Sequence, residues 1–305
     1  MFKCKSPIKL REIIIAGIIG LTIFVLGLFV DQQFSVSVYN PSNTSAFGIF
    51  FSGIAELPIC FALSFGGISL IVYRPKENKK VWEILSIIIG VIAIIASTYF
   101  TYDTWCDFYS FKNTESLKTL FIITGIIFTL SFQIITIIYV VFFTKRNNPR
   151  TMFMLGVTFV AFALLIALVG TSMKYLWSRP RPRFIVDNPE LFKNAWELNP
   201  FGALKEEVSN NVKSFPSGHS IYSASAMFVL PLLTLANNDM KNDRRLQVIL
   251  FYVGLVWALL SAFSRVYAGA HFLSDVGAGY LVTYIIGSLG IYFLFKEKKE
   301  IVEAK

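Results

Sequence analysis

The stretch 151-TMFMLGVTFVAFALLIALVGTSM-173 runs for 23 residues without an Asp, Glu, Lys or Arg. As a helix it spans about 34 Å, enough to cross a hydrocarbon layer roughly 30 Å thick. It is apolar on every side, so it predicts a helix solvated by lipid or protein. Seven further runs share this character: Ile13–Val30, Leu57–Tyr73, Ile84–Tyr102, Thr119–Thr144, Ser214–Asn238, Leu246–Ser264 and Val276–Phe295. The second extends back towards Phe47 and carries Glu56 and Pro58. The fold class is therefore all-α, a polytopic membrane bundle of about eight transmembrane helices. Lys3, Lys5, Lys9 and Arg11 precede the first run, and no small-residue cleavage site follows it, which reads as an uncleaved anchor.

Composition agrees. Of 305 residues, 55% are hydrophobic and only 15% charged, where a soluble domain carries about 25% charged residues. This excludes an ordinary soluble enzyme, a disordered chain and a disulfide scaffold. Cys4, Cys60 and Cys106 fall in unrelated segments, with neither a disulfide framework nor metal-ligand spacing.

The net charge of +9 follows topology. Basic residues gather at the N-terminus, in loops 74–83, 145–150 and 239–245, and in the tail (Lys296, Lys298, Lys299, Lys305). Loop 31–46 has none, and in loop 103–118 Lys112 and Lys118 face Asp103, Asp107 and Glu115. This alternation places both termini in the cytoplasm and removes nucleic acid as a partner. Two segments on the expected outer face break the trend: Lys174–Lys213, and the turn Arg265–Asp275.

Those segments hold the chain's two histidines, His219 and His271. A lone histidine at a membrane edge is usually structural; two on one face beside cations suggest proton or nucleophile chemistry. In Ser264-Arg265-x5-His271-x3-Asp275 the imidazole and carboxylate are four apart, so on a helix they share a face. Asp275 could then hold one ring nitrogen and leave the other as nucleophile or base. In Ser214-Phe215-Pro216-Ser217-Gly218-His219, the Pro and Ser suit a helix start, whose free N–H groups bind phosphate oxygens. In Lys174-x6-Arg181-Pro182 the prolines force an extended exit. Lys174, Arg181 and Arg265 together match a dianionic phosphoryl group.

These three elements, in order and spacing, resemble the K-x6-R-P, P-S-G-H and S-R-x5-H-x3-D motifs of the type 2 phosphatidic acid phosphatase (PAP2) superfamily. The resemblance covers residues 174–275. It implies a six-helix core, taken as residues 81–305 with an external loop 174–213, and leaves the two helices of residues 1–80 outside it. It also implies roles: His271 attacks phosphorus, oriented by Asp275; His219 protonates the leaving oxygen; Lys174, Arg181, Ser217, Gly218 and Arg265 hold the phosphoryl oxygens. Only Arg181 has the motif spacing, so Arg179 and Arg183 receive no role. Fixed cations supply the charge that Mg²⁺ supplies elsewhere, so neither metal nor cofactor is expected. The implied substrate is a lipid phosphate: phosphatidate, phosphatidylglycerophosphate or undecaprenyl diphosphate. The rival readings are a lipid phosphotransferase using the same site, a non-catalytic binder or transporter, and soluble vanadate-dependent peroxidase chemistry, which suits no membrane chain. Oligomeric state is not legible.

Overall fold

The computed structural model describes residues 2, 4–39, 46–75, 80–110, 118–144, 147–202 and 211–296. Lys3, Lys76, Lys79, Lys112, Glu115, Lys145, Arg146, Lys298, Lys299, Lys305 and residues 203–210 of the external segment lie outside the described residues.

The described residues form helices and no strands. They are α1 (Leu10–Val38), α2 (Ala46–Ile54), α3 (Leu57–Val72), α4 (Lys80–Ser110), α5 (Lys118–Ile138), α6 (Pro149–Trp177), the short α7 (Pro182–Ile185), α8 (Gly218–Ala224), α9 (Ala226–Leu233), α10 (Arg244–Tyr267) and α11 (Leu273–Phe295). Eight spans are long and apolar enough to cross a membrane; α2 with α3, and α8 with α9, each make one. The protein is a multi-pass membrane protein. Ile88, Ile92 and Ile95 of α4 and Ile123, Ile127 and Ile134 of α5 are exposed. Such surface is costly in water and costs nothing in lipid tails.

Two helix boundaries matter for the site. Pro58, in the first turn of α3, has no N–H, and the chain turns at Ala55–Glu56. Ile59 N then bonds Glu56 O, and the Ala55 carbonyl takes the Trp257 indole N–H at 3.2 Å. Glu56 is thereby held at the elbow between α2 and α3. The other is at α4, which continues past the expected end at Tyr102 as far as Ser110. That extension carries Asp103 and Asp107 on a helix rather than a loop.

Helix packing crosses the boundary at residue 80. α1 lies along α11, α2 touches α10, and α3 packs on α6. α4 packs on α2 and α3, and α5 packs chiefly on α4. The first two spans are thus built into the bundle that carries the motifs, while α4 and α5 form the outer pair. Two glycines allow the closest approaches. A Cβ on Gly27 of α1 would sit 2.6 Å from Ser274 Cα, and one on Gly279 of α11 would sit 2.5 Å from the Ser217 carbonyl oxygen. Small residues at such crossings let backbones meet, which is how membrane helices gain contact without a hydrophobic drive.

Candidate active site

Three chain segments meet at one end of the bundle. α6 ends at Trp177, with Ser178 in the left-handed region at φ 39°. The exit Arg179–Pro182 then pairs with the segment before α8: Arg181 N donates to Asn211 O at 2.8 Å, and Ser214 N to Arg179 O at 2.9 Å. Ser217 N donates to Asp275 O at 3.0 Å, and Arg183 N to Gly269 O at 2.9 Å. These backbone bonds fasten the three motifs to one another, independent of side-chain identity.

His271 is 2% exposed and lies between α10 and α11. Its Nδ1 is 2.6 Å from the Ser214 carbonyl oxygen. A carbonyl only accepts, so Nδ1 carries the proton and Nε2 keeps its lone pair. Burial, then Arg181, Lys174, His219 and Arg265, hold its pKa well below the usual histidine value. The imidazole is therefore neutral near pH 7, the form that can act as a nucleophile.

The expected His271–Asp275 hydrogen bond is not made: Nδ1 and Oδ2 are 3.9 Å apart. The reason is local. α11 starts at Leu273, so His271 precedes the helix and the four-residue spacing does not put the two on one face. Asp275 is fully buried and instead accepts from Phe272 N at 2.8 Å, Ser214 Oγ at 2.5 Å and Arg179 Nη1 at 2.6 Å. It thus grips both the residue after His271 and the residue whose carbonyl holds His271.

Arg179, given no role by motif spacing, is fully buried at the centre of this network. Its Nη2 donates to Asp31 of α1 at 2.9 Å, its Nη1 also to Ser274 Oγ at 2.9 Å, and its Nε to Lys193 O at 2.7 Å. The guanidinium lies 4.1 Å from the Phe272 ring centre. Asp31 accepts in turn from Ser274 N at 2.8 Å and from Ser274 Oγ. One sequence signal points here: Asp31 is a carboxylate at the end of an apolar run, opening a stretch with no Lys or Arg.

The remaining motif residues surround the histidines. Lys174 lies in the last turn of α6, and its Nζ would sit 3.4 Å from a Cβ on Gly218, so glycine leaves the lysine room. Ser217 caps α8, its Oγ accepting from Ser220 N at 3.3 Å. Arg265 is 3% exposed, in the last turn of α10, and donates to Gly48 O of α2 at 2.8 Å. Arg181 Nη1 reaches Ala270 O at 3.4 Å. Arg183 is exposed. His219 is partly exposed in the first turn of α8. Its Nε2 is 3.3 Å from Ser52 O and 3.4 Å from Asp107 Oδ2, and its Nδ1 is 3.6 Å from Glu56 Oε1. Among the described residues, no cluster of three or more His, Cys, Asp or Glu could hold a metal ion.

Residues 151–299 match the family model described as the PAP2 superfamily. The chain is 26% identical over 226 residues to phosphatidylglycerophosphatase B of Haemophilus influenzae, covering 66% of this chain and 87% of that protein. It is 29% identical over 237 residues to lipid phosphate phosphatase 1 of Arabidopsis thaliana, covering 72% of this chain and 68% of that protein. No solved structure matches significantly.

Proposed function

We propose that this multi-pass membrane protein, whose residues 151–299 match the PAP2 superfamily model, is a phosphatase that hydrolyses a lipid phosphate through a phosphohistidine on His271. The observation that carries this reading is a buried, neutral imidazole with one nitrogen committed to Ser214 O, among Lys174, Arg181 and Arg265. In the first step the Nε2 lone pair attacks phosphorus. The bond from phosphorus to the lipid oxygen breaks, and that oxygen takes a proton from His219. In the second step water attacks the phosphohistidine, the N–P bond breaks, and His219 recovers a proton from the water. Orthophosphate leaves. Lys174, Arg181 and Arg265, with Ser217 and Gly218 at the start of α8, hold the phosphoryl oxygens, and Asp275 acts by fixing the frame around His271.

Phosphatidate, phosphatidylglycerophosphate and undecaprenyl diphosphate all offer such a group on an apolar tail. An apolar cleft lined by Ile59, Leu63, Ala96, Phe100, Ala163 and Leu164 supports a tail in the bilayer: Glu56 and Tyr222 also line it, and Tyr222 is about one helical turn from His219. Hydrolysis proceeds without a metal in this reading, because fixed cations balance the phosphoryl charge. Phosphate release from these lipids in detergent micelles persists in EDTA; release that EDTA abolishes and Mg²⁺ restores overturns the metal-free mechanism.

The site opens on the extracytoplasmic face and both termini are cytoplasmic. Helices α1, α6 and α10 begin near Lys9, Arg150 and Arg244, at the end away from His271, where Arg244 bonds Glu12 and Pro7 O. That basic end suits the cytoplasm. A tag at either terminus is shielded from protease added to intact cells, and its cleavage there inverts the topology.

A further inference from the structure

The two histidines sit in opposite surroundings. His271 has one acceptor, a carbonyl, and cations around it. His219 has acceptors on both sides of its ring. Glu56 Oε1 lies 3.6 Å from Nδ1; Asp107 Oδ2 and Ser52 O lie 3.4 Å and 3.3 Å from Nε2. Carboxylates and carbonyls only accept. A neutral imidazole has one N–H and can satisfy one side; imidazolium satisfies both. Asp103 adds a third carboxylate on the same helix as Asp107, and Lys174 is the cation that faces Glu56 from α6. Glu56 is itself placed, not loose: the elbow at Ala55–Glu56 is pinned by Trp257, and Thr104 Oγ1 lies 3.5 Å from Glu56 Oε2. Ser52, Glu56 and Asp107 all precede the family-matched residues 151–299.

We propose that Glu56, assisted by Asp107, is a positioning residue that orients the His219 ring, with Nδ1 towards Glu56 and Nε2 towards the site, so that the protonated imidazole delivers its Nε2 proton to the leaving lipid oxygen. With Nδ1–H held towards Glu56, the proton on Nε2 is the one transferred. It moves from the long contacts to Ser52 and Asp107 onto the leaving oxygen as the phosphorus–oxygen bond breaks. His219 is left neutral, with Nδ1–H still towards Glu56 and a lone pair on Nε2, ready to take a proton from water in the second step.

The inference rests on the lipid phosphatase reading, and the test separates the two. Wild type, Glu56→Gln, Asp107→Asn and His271→Ala are assayed on phosphatidate and on a nitrophenyl phosphate bearing an alkyl chain on its ring. The nitrophenolate leaves without a proton; the lipid alkoxide needs one. Positioned acids contribute about 10²–10⁴-fold, so Glu56→Gln lowers kcat/KM on phosphatidate by about 10–100-fold and changes it less than about threefold on the aryl substrate. Asp107→Asn, at a more exposed side chain, moves the same ratio the same way by a smaller factor, and carries the test if Glu56→Gln does not fold. Equal losses on both substrates, or no loss on phosphatidate, overturn the assignment of Glu56. A wild type inactive on every lipid phosphate, or a His271→Ala variant that keeps its activity, overturns the underlying reading and the inference with it.

Discussion

Replacing His271 by Gln removes lipid phosphate hydrolysis while the bundle remains folded. Loss of a covalent nucleophile typically costs more than about 10³-fold in kcat. Gln keeps an N–H for the Ser214 carbonyl, so the variant tests the nucleophile without leaving a buried acceptor unpaired. A pH signature accompanies it. His271 is neutral in the folded protein, with a pKa held well below 6.5 by burial and neighbouring cations. The unfolded chain takes up that proton once pH falls below about 6.5, so wild-type stability rises with pH between the depressed folded pKa and about 6.5. His271→Gln lacks this contribution, and its acid-side unfolding curve is flatter. Substantial hydrolysis by the variant shows that another residue is the nucleophile.

Replacing Arg179 by Met destabilises the protein and removes activity together. Arg179 is shared by two buried carboxylates, Asp31 of α1 and Asp275 of α11. Breaking a buried pair from one side typically costs about 3–5 kcal/mol, because the partner charge stays buried. Asp275 then loses the bond that aims its carboxylate, and with it the grip on Ser214 and Phe272 that sets His271. Adding Asp31→Asn to Arg179→Met recovers part of the stability by removing one stranded charge, but not the activity, because Asp275 stays unanchored. Thermal unfolding in detergent, with kcat measured below the transition, separates the two effects. Full activity in a folded Arg179→Met variant contradicts the anchoring role.

The spans were legible because lipid tolerates no unpaired charge, and a run such as Thr151–Met173 announces itself. Lys174, Arg181, Ser217, Gly218, His219, Arg265, His271 and Asp275 stand out in the sequence because they keep the motif spacings. What was not legible depends on three-dimensional partners. Arg179 and Arg181 are two residues apart, and nothing local says that one turns inward to carboxylates while the other turns to the turn at Ala270. The first two spans precede the motifs by more than a hundred residues, so chain order hid that Asp31, Gly48, Ser52 and Glu56 border them. The His271–Asp275 pairing assumed a helix through both positions; α11 begins between them. Asp107 was assigned to a loop because the apolar run stops at Tyr102, although α4 itself continues.

The central claim, that a phosphoryl group passes through His271, is tested most directly by trapping it. The purified protein is mixed with a lipid phosphate labelled at the terminal phosphorus and quenched within its first turnovers in alkaline detergent, then digested and sequenced. The account predicts label on the peptide holding His271, bound through nitrogen and therefore lost in acid, and no label in His271→Gln. Label on another residue, or turnover with no phosphoenzyme and undiminished hydrolysis by the variant, contradicts it.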